Sequence, residues 1–261
     1  MQQGFTAKRP AAALRSAEDL RAVNRDFYDA LWRDARLVPP QRFNTWPLVR
    51  TLAAEGGGRW LEVAPGLRPR LPLAGGVCLE LSPAAATQLR ARGAQVVRGS
   101  AARLPFADDA FELVCACDIL EHLEDDEAVL AEFSRIAAPG ARLLLSVPLH
   151  PERWNAFDDF VGHCRRYETP ALLALLARHG FAVERSAVYG MQPRSSRLLD
   201  LGLWFLVHQR RRAIWWYNRV MMPLALRWQK TLALSRGMIE TEGVDEVLLL
   251  CRKAAATRQP V

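Results

Sequence analysis

Lysine is almost missing from this chain: of 35 basic residues only Lys8, Lys230 and Lys253 are lysines, and the rest are arginines. Beside so much alanine, this bias fits a skewed codon composition and excludes nothing by itself. Long apolar runs are missing too. The runs at 198–207 and 220–226 fall short of the ~18–20 residues that cross a bilayer, and Pro223 interrupts the second. No membrane-spanning helix is expected. Paired cysteines are absent: the five, at 78, 115, 117, 164 and 251, are an odd number with no repeated spacing. Four lie in or beside apolar segments and are expected as buried free thiols in a reducing cytoplasm. Cys115 and Cys117 stand one residue apart, which is no metal-ligand spacing, so no metal site is expected. The N-terminus, with Lys8, Arg9 and an alanine run broken by Pro10, lacks the apolar core of a secretion signal and is expected to be a loose tail.

What is present is sharpest at residues 59–82. Arg59-Trp60-Leu61-Glu62-Val63-Ala64-Pro65-Gly66 reads as a strand and a turn, and Val77-Cys78-Leu79-Glu80-Leu81-Ser82 as a second strand ending on an acid. A carboxylate at the end of the second strand of an open α/β sheet is placed to accept both hydroxyls of a ribose. A pyrophosphate would need glycines and free N–H groups at the preceding turn. Here Ala64, Leu67 and Arg68 replace the glycines, and Pro69 and Pro72 remove donors. Residues 67–76 are also too few, and too broken by proline, for a crossover helix. A phosphate-free nucleoside such as S-adenosyl-L-methionine tolerates such a turn, and Glu62 could attract its ammonium group.

Downstream, strand and helix alternate. Strands are expected near 59–64, 77–82, 95–99, 111–117, 141–147, 181–189 and 244–252, and helices near 83–92, 124–138 and 169–179. Pro83 suits the first turn of a helix; Gly93, Gly140 and Gly180 fall at or near helix ends. Ahead of the sheet, Ser16 caps a helical stretch carrying Leu20, Val23, Phe27 and Leu31, stopped by Pro39-Pro40. A second helix is expected over 45–55. With no room for a crossover helix between the first two strands, these N-terminal helices are the expected cover for that face. The chain divides into a tail and helical cap (1–57), a cofactor-binding α/β core (58–191), a Trp- and Arg-rich helical insertion (192–243) and a last strand with its tail (244–261).

Five segments in order carry a family resemblance: Leu61-Glu62-Val63-Ala64-Pro65-Gly66, Glu80-Leu81-Ser82-Pro83, residues 104–114, Asp118-Ile119-Leu120-Glu121-His122-Leu123, and residues 138–148. With them the chain resembles class I SAM-dependent methyltransferases, of the branch similar to quinone-biosynthesis methyltransferases. The resemblance implies a Rossmann-like, open, twisted seven-stranded sheet with helices on both faces, an N-terminal helical cap and a helical insertion before the last strand. It implies S-adenosyl-L-methionine as cofactor, a small-molecule or lipid-like acceptor and a cytoplasmic location. Cofactor contacts are expected from Glu62, Ala64, Gly66, Arg68, Glu80, Leu81, Ser100, Ala101, Cys117 and Asp118. Glu80 would take the ribose, Glu62 and Gly66 the methionine end, and Arg68 the cofactor carboxylate. Ser100 stands where the family has an acid on the adenine amine, and a neutral acceptor is about half as strong as a charged one.

Methyl transfer is an in-line displacement at a sulfonium carbon, so the protein mainly supplies proximity and orientation. A base is required only if the acceptor must lose a proton. His122, His150 and His163 are the candidates. Against them, Glu121, Glu124, Asp125 and Asp126 simply favour a helix N-terminus. Arg165 and Arg166, next to His163, either pair with an anionic acceptor or charge a turn. Tyr28 and Arg42 are candidates to close over the methionine end. From 192 to 236 nine basic residues face one acid, +8 against a chain total of +7, so the remainder sums to −1. That segment also holds four of the eight tryptophans. It reads as a lid over an apolar acceptor, as an interfacial element in peripheral contact with the inner membrane face, or as a nucleic-acid surface. The scarcity of lysine and the lack of an RNA-binding module weigh against the last. A methyltransferase-like binding protein without catalysis and an RNA methyltransferase remain alternatives.

Overall fold

The computed structural model describes residues 28–255 except 30, 33–34, 56, 58, 191–201, 203 and 206–207. The tail around Lys8, residues 16–27 of the first expected helix and most of the run 198–207 lie outside the described residues. The central strands are apolar at nearly every position because both faces of the sheet are covered. In β1 (Trp60–Val63), β4 (Phe111–Cys117), β5 (Ala137–Pro148) and β8 (Glu246–Lys253), neighbouring residues alternate between two cores. Leu61, Val114, Leu143, Leu145, Val247 and Leu249 enter one. Trp60, Leu113, Cys115, Leu144, Leu248 and Leu250 enter the other.

With β2 (Val77–Glu80), β3 (Gln95–Arg98), β6 (Phe181–Tyr189) and β7 (Ser235–Arg236), the sheet order is β3-β2-β1-β4-β5-β8-β6-β7. The first five strands pair in parallel, and β8 runs antiparallel between β5 and β6. β6 ends at the edge where β4 and β5 end, the chain passes over that edge, and it re-enters from the same side. All seven expected strands are present. β7 is an eighth, two residues long and exposed on the sheet's edge, too short to leave a pattern in the sequence.

Helices cover both faces. α3 (Asp126–Ile136) and α5 (Thr169–Arg178) pack on the first core through Val129, Leu130, Phe133, Leu172 and Leu176. The opposite core is closed by α1 (Trp46–Glu55) through Val49, Leu52 and Ala53. α2 (Pro83–Arg90) joins β2 to β3, with the Ser82 side chain accepting the Ala85 N–H at its start. No helix forms between β1 and β2, as expected. Residues 67–76 turn inward instead: Leu67 and Leu71 are buried, and the Trp60 indole N–H donates to the Pro72 carbonyl at 3.2 Å. α4 (Ala156–Val161) follows β5.

The insertion is helical over 210–227, whereas residues 229–243 are extended or turn and contain β7. α6 (Arg210–Trp216), a π-turn (Tyr217–Met221) and α7 (Met222–Arg227) form one arm. Its inner side buries Ala213, Ile214 and Met222, while Trp215, Trp216, Met221, Leu224 and Trp228 are exposed. Among the described residues no helix is long and apolar enough to cross a membrane.

The loop that replaces the crossover helix leaves no spare room. A Cβ on Gly76 would lie 1.9 Å from Trp60 Nε1. Gly76→Ala is therefore expected to cost about 1–3 kcal/mol through overpacking, read as a lowered midpoint in urea unfolding.

Candidate active site at the carboxyl ends of the strands

Glu62 and Glu80 end adjacent strands and are both buried. Glu62 accepts the backbone N–H of Arg70 at 2.7 Å and of Leu71 at 2.9 Å, so it satisfies donors that a helix would have used. Burial outweighs those two bonds and pushes its carboxyl up to about 7. Glu80 accepts the N–H of Gly66 at 2.9 Å and of Ser82 at 2.8 Å, stitching the β1 turn to the end of β2. Burial raises its pKa as well. Ala64 carries a positive φ of 50° and Gly66 one of 55°. Glycine is needed at the second: a Cβ there would lie 2.2 Å from the Trp32 ring, which rests directly on the turn.

Trp32 belongs to the N-terminal cap, stacks on Tyr28 with centroids 5.8 Å apart, and is missed as a site residue because it reads as a packing aromatic. Arg68 lies between Trp32 and Tyr217, 5.2 and 4.8 Å from their ring centroids, and donates to the Tyr217 hydroxyl at 2.9 Å. The arm is thereby fastened to the β1 turn. Arg70 lies 3.9 Å above the Phe43 ring and donates to the Tyr189 hydroxyl at 2.8 Å. Ser100 is exposed, bonding only locally to Ala102 N–H at 3.3 Å, and Ala101 is buried in the first core. Leu81 is exposed beside Glu80, and Arg42 is exposed on a short 3-10 turn.

The end of β4 supplies the other half. Cys115 and Cys117 face the same side with sulfurs 3.8 Å apart. Asp118 has a positive φ of 56°, and its carboxylate accepts from the Ser146 hydroxyl. Burial and then the neighbouring Asp118 carboxylate raise the pKa of Glu246 of β8 well above the carboxylate range. The next turn (Leu120–His122) carries Glu121, buried and raised well above its usual pKa by burial and then by Asp118. The Tyr28 hydroxyl lies 3.2 Å from His122 Nε2, and the His122 pKa is lowered by burial and then by His163. The His122 and His163 rings meet edge to face, centroids 4.6 Å apart.

His163 is held from behind. Its Nδ1 lies 2.8 Å from Asp158 Oδ1, which also accepts Arg166 Nε at 2.9 Å, while Asp158 Oδ2 accepts the Asn155 N–H at 2.8 Å. Arg166 reaches on to Asp245 at 2.8 Å, and Arg165 binds Asp126 and the Glu124 carbonyl. Both arginines are thus engaged within the protein. Asp158 was legible only as a capping-box partner three residues beyond Asn155. His150 stands apart from this group. It adopts φ 64° and lies 2.8 Å from the Thr241 carbonyl and 3.2 Å from Glu152. A cavity of about 410 Å³ lined by Arg142, Arg185, Arg236 and Arg252 lies at the other edge of the sheet and shares none of these residues.

Burial pushes the Asp158 carboxyl up, but His163 and Arg166 outweigh it and hold it below the usual carboxylate value. A depressed pKa stabilises the fold above the unfolded value and loses that stabilisation as pH falls through the folded one. Thermal melts from pH 6 downward should therefore fall more steeply for the native chain than for Asp158→Asn. At neutral pH the variant is expected to lose about 1–3 kcal/mol, because His163 and Arg166 each lose a bond to a buried carboxylate while Arg166 keeps Asp245.

Residues 56–145 match the model of the family described as a methyltransferase domain. The demethylmenaquinone methyltransferase of Mycolicibacterium paratuberculosis is 44% identical over 55 residues, 21% of this chain and 24% of that protein, so the chain spans about a quarter of that relative. Among solved structures, a SAM-dependent methyltransferase of Thermotoga maritima superposes with a TM-score of 0.55 at 20% identity, covering 90% of this chain and 93% of the other. The [4+2]-cyclase SpnF superposes at 0.50 with 18% identity, covering 80% and 81%. Likeness at that level shows the fold alone, and the cyclase illustrates that one fold carries several chemistries. The match over residues 56–145 thus identifies a methyltransferase domain there, and the strand order with the superpositions shows the class I, Rossmann-like methyltransferase fold.

Proposed function

We propose that the chain transfers the methyl group of S-adenosyl-L-methionine to a lipid-like acceptor presented at a membrane surface. The observation that carries the transfer is Glu80: a buried carboxylate at the end of β2, bonded to the Gly66 turn inside the matched domain. In this reading its remaining lone pairs take the ribose hydroxyls, Glu62 draws the cofactor ammonium, and Trp32 swings off Gly66 as the cofactor enters. Ser100 and Ala101 line the adenine side weakly, since Ser100 offers only a neutral oxygen. The acceptor faces the group formed by Glu121, His122 and His163, which handles its proton where it has one. We leave His150 outside this site. Isothermal titration is expected to give micromolar binding of S-adenosyl-L-methionine by the native chain and none by Glu80→Ala. Equal affinity in the two would remove the ribose assignment.

The two sides of the arm support the choice of acceptor. The inner side sits at the mouth of the site, with Ile214 and Tyr217 against Leu31, Trp32 and Leu67. The outer side exposes Trp215, Trp216, Met221, Leu224 and Trp228, with exposed Arg211, Arg212, Arg219 and Arg227 around them. Aromatic rings at headgroup depth with arginines toward anionic lipid are the signature of an interfacial helix. An acceptor resting in that layer reaches the site without entering water. The chain is expected to float with vesicles containing phosphatidylglycerol and to stay down with phosphatidylcholine alone. The triple change Trp215→Ser, Trp216→Ser and Trp228→Ser should abolish flotation; unaltered flotation would rule out the arm as the anchor.

A further inference from the structure

Glu121, His122 and His163 each offer one ligand atom, and the three atoms lie within 4.8 Å of one another. We propose that they bind a divalent transition-metal ion, zinc above all, beside the acceptor position. Two imidazoles and one carboxylate are a donor set used by catalytic zinc sites, which keep an open position. Calcium and magnesium prefer oxygen donors alone.

Three features point to an ion. Glu121 Oε1 lies 3.9 Å from His163 Nε2, too far for a hydrogen bond. That separation matches two donors each about 2.0–2.2 Å from a common ion at an angle wider than tetrahedral. The widest pair in the group needs to close by only about 1 Å to reach the same geometry. Second, Glu121 Oε2 has no hydrogen-bond partner among the described residues, although Glu121 is 2% exposed. A buried oxygen without a partner is rare in native proteins and needs an explanation, and an ion supplies one. Third, His163 Nδ1 is held by Asp158, itself fixed by Arg166 and the Asn155 N–H, which leaves Nε2 turned toward the group. An outer carboxylate of this kind fixes the tautomer and aim of a metal-bound imidazole. The Tyr28 hydroxyl stands beside the group, 3.2 Å from His122 Nε2.

The inference stands on these donors and does not rest on methyl transfer; with an ion bound, the three groups would no longer take a proton themselves, and the metal would instead acidify an acceptor group at its open position. The full chain, stripped with a chelator and dialysed against zinc, is expected to hold one zinc per chain by elemental analysis. Cobalt(II) in its place should show the visible bands of a low-symmetry site. Glu121→Gln, nearly the same shape, and His163→Gln should each weaken cobalt affinity about 10-fold or more, while His150→Gln should leave it unchanged. If His163→Gln does not fold by circular dichroism, Glu121→Gln decides alone. No uptake by the native chain, or uptake unchanged in the folded variants, would overturn the site. S-adenosyl-L-methionine titrated into the same samples separates the two readings: zinc uptake without cofactor binding leaves the metal site standing and removes the transferase.

Discussion

Glu62 holds the stretch after β1 in the shape on which the rest of that edge depends. In an ordinary βα unit the residues there enter a helix whose own N-terminus turns toward the ligand. Here two prolines forbid that helix, and a buried carboxylate takes the N–H groups of Arg70 and Leu71 instead. Leu67 and Leu71 can then point into the core, Arg70 comes over Phe43, and α1 closes the face that the missing helix would have covered. A residue that looks in sequence like a cofactor ligand is therefore also a structural strut.

Much of the fold was legible because both-face burial leaves long apolar strands and because glycine and proline punctuate them. All seven expected strands and the three expected core helices lie within a few residues of their places. β7 was not legible, since two exposed residues pairing at an edge carry no periodicity. Of the candidate site residues, Glu62, Gly66, Glu80, Asp118, His122 and His163 lie at the carboxyl edge of the parallel strands; Ser100 and His150 follow β3 and β5 at the same edge, but Ser100 is exposed and His150 is tied to Thr241. Trp32, Asp158 and Glu246 escaped because their roles arise from tertiary contact. An indole laid on a glycine, or an acid behind an imidazole, has no local signature.

The acceptor side differs from the cofactor side in its electrostatics. Asp118, Glu121 and Glu246 converge with few cations among them; Arg165 and Arg166 are committed to Asp126, Asp158 and Asp245. Burial and mutual repulsion both raise the pKa values of Glu121 and Glu246, which favours neutral acids or a bound cation over a row of free carboxylates. An anionic acceptor group would meet opposition there. A neutral or positively charged one would not.

Arg68 gives the molecule a property that neither the turn nor the arm has alone. Its guanidinium touches Trp32 on the cofactor side and Tyr217 on the surface side at once. Any ligand that shifts the arm must pull on the same cation that any ligand beneath Trp32 must push. Thermodynamic reciprocity then fixes the outcome: by whatever factor occupancy of one place alters affinity at the other, the reverse alteration is of equal size.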